Sequence, residues 1–230
     1  YATELQAVIT AMGDMKQPAD KVKWLSAGTR GVGVLVSDTM MFQRYGPNAS
    51  DPELGSFYGR GLPRLMRGIP VEPVQMETAD LTPYKILLLT YEGQKPPNPA
   101  LHKALAEWVK AGGGLVVVDD DKDPFAQVRE WWNSGDRKYQ TPRHDLFDVL
   151  GVPRDKVGAT RIGKGVVIYA PRSPAGLSHS PDGADVVRQL AKDAMNAVGV
   201  EWQETGALVL RRGPYIVASG LDDPAASAPP

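Results

Sequence analysis

Tyr84-Lys-Ile-Leu-Leu-Leu-Thr-Tyr-Glu92, followed by Leu101-His-Lys-Ala-Leu-Ala-Glu-Trp-Val-Lys-Ala-Gly-Gly-Gly-Leu-Val-Val-Val118, decides the fold of this 230-residue chain. The first run is apolar and strand-sized, so it predicts a central strand over 85–90. Leu101, Leu105, Trp108 and Val109 then share one helical face, which predicts a helix over 100–111 that the three glycines end. Leu115 to Val118 resumes the sheet. Two continuously apolar strands joined by an amphipathic helix imply a right-handed crossover and a mostly parallel sheet covered by helices on both faces. The class is α/β.

Upstream, Gly31-Val-Gly-Val-Leu-Val36 is rich in β-branched residues and opens into Ser37-Asp38, which predicts a first core strand. The run over 71–77 reads as an edge strand, since Pro73 cannot donate to a ladder on both sides. Leu5, Val8, Ile9 and Met12 recur at helical spacing over 3–15, with Thr3 as N-cap and Pro18 beyond. Between these lie a long polar loop over 38–54 that carries Arg44 and Tyr45, and a helix over 56–67 weakened by Gly59, Gly61 and Pro63.

Downstream, helices are expected over 124–132, 144–150 and 184–197. Gly163-Lys-Gly-Val-Val-Ile-Tyr169 reads as a tight turn leading into a strand. Strands over 207–211 and 215–219, joined through Gly213-Pro214, predict an antiparallel hairpin at one edge of the sheet. Three units follow: a linker helix over 1–20, an α/β domain over 21–221, and a disordered, proline-rich tail over 222–230.

Composition removes several function classes. Lys and Arg total 26 against 27 Asp and Glu, so no global field draws the chain to nucleic acid or to an anionic membrane surface. The longest apolar runs fall far short of the roughly 20 residues of a membrane helix. Zero cysteines exclude disulfides, thiolate metal sites and cysteine nucleophiles. The three histidines show no zinc spacing, and the nucleophile-elbow, phosphate-loop and dinucleotide signatures are missing. No cofactor is expected. The chain starts at Tyr1 rather than Met, so a secreted or periplasmic location stays open.

Ligands of open parallel sheets collect at the carboxyl ends of the strands. Ser37-Asp38, Thr90-Tyr91-Glu92 and Asp119-Asp120 should therefore line one edge, as turn formers and caps on one reading and as a cleft on the other. Arg44, Tyr45, His144 and Arg161 are expected around them, the arginines to offset facing acids. Asp119, Asp121, Asp123 and Glu130 approach the spacing of a calcium loop, although Pro124 stands where that loop needs glycine. Helix capping by the same aspartates is the competing account. Trp131, beside Trp132 and Asn133, is a candidate platform for a sugar ring, and adjacent helical residues diverge by about 100°, so only one tryptophan can face a ligand.

The central stretch, with Gly163 to Tyr169, resembles the class I glutamine amidotransferase-like fold, in the version that forms the trimerisation domain of multidomain β-galactosidases. The N-terminal helix resembles a linker leaving a glycosidase barrel, and Arg211-Arg-Gly-Pro-Tyr-Ile-Val-Ala-Ser-Gly-Leu-Asp222 an entry into a following β-domain of bacterial glycosidase-like proteins. The resemblance implies a flavodoxin-like sheet and a non-catalytic accessory role. Its partners would be neighbouring domains of a larger glycosidase-like protein, further copies of the chain, or carbohydrate. Glutaminase chemistry needs a cysteine at the turn after a strand, and here aspartates follow Val118. The alternative is a small stand-alone hydrolase that uses the strand-end carboxylates, Asp119 or Asp120 with His144 or His179.

Overall fold

The computed structural model describes residues 1–16, 22–41, 68–78 and 80–220. Arg44, Tyr45, most of the 38–54 loop, the 56–67 helix, Pro18 and the 222–230 tail lie outside them. The chain runs α1 (Ala2–Asp14), β1 (Val22–Ser26), β2 (Val32–Val36), β3 (Val71–Gln75), β4 (Ile86–Leu89), α2 (Pro99–Ala111) and β5 (Gly114–Val118). It continues with α3 (Pro142–Leu150), β6 (Gly158–Ile162), β7 (Gly165–Ala170), α4 (Pro174–Ser178), α5 (Gly183–Ala197), β8 (Ala207–Arg212) and β9 (Tyr215–Gly220). Short 3₁₀ turns cover Asp38–Met41 and Pro124–Gln127.

Among the described residues six strands form a mostly parallel sheet in the order β3-β2-β4-β5-β7-β6, in which β6 is antiparallel to its neighbour. Pro73 sits in β3 at the edge, where its missing N–H costs no ladder bond on the open side. The continuous apolar runs bury both faces by alternation. Leu87, Leu89, Leu115, Val117 and Val167 join a core with Leu105, Val109, Phe147 and Leu150 of α2 and α3. Ile86, Leu88, Val116, Val118 and Ile168 face Val187, Ala191, Ala194 and Met195 of α5. Helix α2 starts on Asn98, whose side chain accepts from the Ala100 N–H, has Pro99 at its first turn and ends at Gly112.

Gly163, at φ 59°, makes the turn between β6 and β7. Gly165 has another reason: a Cβ there would meet the Val109 and Gly113 carbonyl oxygens at 2.1 and 2.2 Å. The end of α2 can approach β7 that closely only over a glycine.

Three expectations need correction. The hairpin β8–β9 is not at the edge of the main sheet; it pairs with β1 in a separate antiparallel sheet, β1-β8-β9. Strand β1 went unread because Lys23 and Leu25 face outward together and blur the alternation. The helix over 124–132 stops after one 3₁₀ turn, since Val128 is extended (ψ 141°). There the Ala126 carbonyl accepts from the Trp132 indole N–H (3.0 Å) and the Val128 carbonyl from the Asn133 amide (2.8 Å), so neither is left for a helical bond. Helix α1 is preceded by Tyr1, without a side-chain cap, and begins before Thr3.

Candidate functional site

Strands β2, β4 and β5 are adjacent and parallel, so Ser37-Asp38, Thr90-Tyr91-Glu92 and Asp119-Asp120 follow their carboxyl ends on one edge. At about 4.8 Å per strand, β2 and β5 stand roughly 10 Å apart. Gln94 ties the first two clusters: its carbonyl accepts from the Ser37 N–H (2.9 Å) and its amide donates to the Leu35 and Thr90 carbonyls (both 3.0 Å). Asp119 ties the next pair, accepting from the Tyr91 N–H (2.6 Å), the Thr90 hydroxyl (3.2 Å) and the Asp121 N–H (2.8 Å). It is 3% exposed, and burial pushes its carboxyl up while the backbone N–H groups of Asp121 and Tyr91 hold it down.

The other carboxylates are also engaged. Asp123 accepts from the Phe125 N–H as a cap, from the Gly93 N–H (2.6 Å) and from the Lys95 ammonium (2.7 Å). Asp121 holds a left-handed φ of 60° and grips Arg143, with Thr141 donating at 2.9 Å and His144 Nε2 at 3.4 Å. Burial alone would raise Asp121, but His144 and Arg143 together hold it well below the usual carboxylate range. Arg143 is itself buried, its guanidinium stacked on Phe147 and Tyr169 at 4.6 and 4.3 Å. Glu92 Oε1 accepts from the Ala175 N–H (3.0 Å); burial pushes this carboxyl up, Ser173 and Ala175 oppose, and Asp119 and Asp120 assist. Asp120 faces Lys122 at 3.8 Å.

The calcium reading fails on this geometry. Asp119, Asp121 and Asp123 turn to three separate sets of donors, and Glu130 lies in a turn beyond them. Among the described residues no group of three or more His, Cys, Asp or Glu is arranged to hold a metal ion. Arg161 does not approach the acids. It pairs in register with Val166 at the amino end of β7, and its guanidinium donates to the Ala197 carbonyl (2.5 Å) at the end of α5, where a cation complements the helix dipole. Asp38 is exposed and bonded to Gln75 (2.8 Å) on the β3 side. His179 closes α4.

Trp131 is not an open platform. Its indole N–H donates to the Pro96 carbonyl (3.1 Å), His102 and Trp132 meet it edge-on, and the Arg137 guanidinium lies 5.2 Å from its ring.

Sequence reasoning missed Gln94, Lys95, Arg143 and a buried chain through His102. Tyr91 donates its hydroxyl to His102 Nε2 (2.6 Å), His102 Nδ1 donates to Asp145 (2.7 Å), and Arg137 pairs with the other oxygen of Asp145. Burial lowers the imidazole pKa against the pull of Asp145, and raises the Tyr91 phenol well above its usual value. The only available signal was spacing: His102 lies on the same helical face as Leu105 and Val109, so the apolar pattern of α2 already turned it inward.

The chain matches no known family model and none of the curated proteins.

Proposed function

We propose that this chain is a non-catalytic, amidotransferase-like accessory domain of a multidomain glycoside hydrolase, serving oligomerisation or carbohydrate contact. Two features support it. The parallel strands, renumbered in chain order, run 2-1-3-4-5, the flavodoxin-like order, with the reversal between β2 and β4. The carrying observation is Asp119: the turn after β5, where an amidotransferase would place its nucleophile, holds a buried carboxylate spent on three internal hydrogen bonds. A group in that state organises the edge of the sheet and attacks nothing.

The second reading, a small carbohydrate hydrolase, draws on Glu92. A carboxyl raised by burial beside Asp120 is the kind of acid that glycoside hydrolysis uses. Against it, Glu92 already accepts from the Ala175 backbone.

The isolated chain assayed with aryl glycosides and aryl esters separates the two. The accessory role expects buffer rates; turnover well above buffer that disappears in Asp120→Ala would overturn it.

A further inference from the structure

Beside the carboxyl edge, Pro96 and Pro97 after β4 and Phe125, Val128 and Trp132 after β5 enclose a cavity of about 350 Å³. That volume is at the lower end of small-molecule sites, which combine apolar walls with a few placed polar groups. The Trp132 indole N–H is committed to Ala126, so this ring offers carbon only. Three polar side chains stand at the cavity, Thr39, Lys95 and Glu130, and the Thr39 hydroxyl is bonded to the Lys95 backbone, donating to its carbonyl (3.1 Å) and accepting from its N–H (2.8 Å). Lys95 is 6% exposed, and two of its three ammonium hydrogens go to the Tyr91 carbonyl (2.6 Å) and Asp123 (2.7 Å). Glu130, an acceptor, also lines the cavity, at the start of the turn that follows Val128.

We infer that this cavity binds one uncharged pyranose ring, its C–H face against Phe125, Val128 and the prolines and its hydroxyls toward Lys95 and Glu130. Charge selects a neutral ligand. The Lys95 cation is already met by Asp123, and the Glu130 carboxylate repels anions. Among the described residues the Lys95 ammonium meets two acceptors, and a ligand hydroxyl would supply its third hydrogen with one where a wholly apolar occupant would not. The inference rests on the carbohydrate-contact arm of the proposed function and places the contact here rather than on Trp131.

Saturation-transfer NMR on the full 230-residue chain tests it, with the methyl glycosides of glucose, galactose, mannose and xylose as probes and cyclohexanol as apolar control. At least one glycoside should receive saturation on its ring C–H protons. Phe125→Asp and Val128→Asp, at positions 39% and 50% exposed and so tolerant of a polar side chain, should each weaken the signal about three- to tenfold, the worth of one such contact. No transfer to any glycoside overturns the inference, as does equal transfer in both folded variants, or cyclohexanol transfer that no glycoside displaces. None of these outcomes touches the hydrolysis assay: a chain that neither binds nor hydrolyses keeps the accessory role and loses this site.

Discussion

The two sheets of this protein obey opposite rules. In the six-stranded sheet β4, β5 and β7 are buried at every position, and the polar groups at their carboxyl ends bond one another. In the three-stranded sheet no strand has a fully buried residue among those described, and Leu25, Ile216 and Val217 are more than half exposed. Helix α1 belongs with the second region. It buries nothing, Leu5, Val8, Ile9 and Met12 are bare, and it is joined to the hairpin by Tyr215 to Asp14 (2.7 Å) and Arg212 to the Met15 carbonyl (3.1 Å). The difference lies in cover: helices on both faces make one sheet a core, and among the described residues no helix buries the other.

The comparison breaks most directly at Arg143. Arg143→Ala leaves Asp121 in a left-handed conformation with its main cation gone and strips Phe147 and Tyr169 of a stacking partner. Removing one member of a buried pair costs about 3–5 kcal/mol, to be read from urea midpoints. A loss below about 1 kcal/mol would mean that the edge is not the stabilising network described here.

A smaller effect follows from Glu92, whose folded carboxyl is raised by burial. Such a group binds its proton more tightly in the folded state, so it costs stability as pH rises through its unfolded and then its folded pKa. Glu92→Gln keeps an oxygen for the Ala175 N–H and removes the charge. It should raise the melting temperature at pH 7 by a small margin and leave it unchanged near pH 3; a gain that grows toward acid pH would reverse the sign argued here. Asp121 works oppositely: its depressed carboxyl contributes stability above its unfolded pKa, lost as pH falls through the folded one.

The smallest effect is expected in the exposed sheet. Ile216→Ser, at a residue 59% exposed, should change the unfolding free energy read from urea melts by no more than about 0.5 kcal/mol, the usual range for surface changes. A loss comparable to that of Arg143→Ala would show that the small sheet carries core weight in solution.

Much of the main sheet was legible because its signal is local. A run such as Ile86 to Leu89 or Leu115 to Val118 can be buried on both faces only in a parallel sheet under helices, and Pro73 marks an edge by its missing donor. The turn over 124–132 was misread because its apolar spacing suits a helix, while the side chains of Trp132 and Asn133 that take its carbonyls compete only once the chain has folded back. The hairpin β8–β9 was seen as a hairpin, but its partner β1 lies some 180 positions earlier, and strand pairing over that distance leaves no local trace.

By itself, then, the sequence determined the α/β class, the succession of parallel strands, the edge on which Ser37, Thr90 and Asp119 gather, and the absence of any cysteine chemistry. Those follow from periodicity and composition, properties of neighbours along the chain. Tertiary structure alone decided that Lys95 meets Asp123, that Arg143 holds Asp121, that His102 links Tyr91 to Asp145, and that Arg161 serves the end of α5 instead of the acidic edge. A buried charge is stable only beside its partner, and which partner it meets depends on how strands and helices distant in sequence pack.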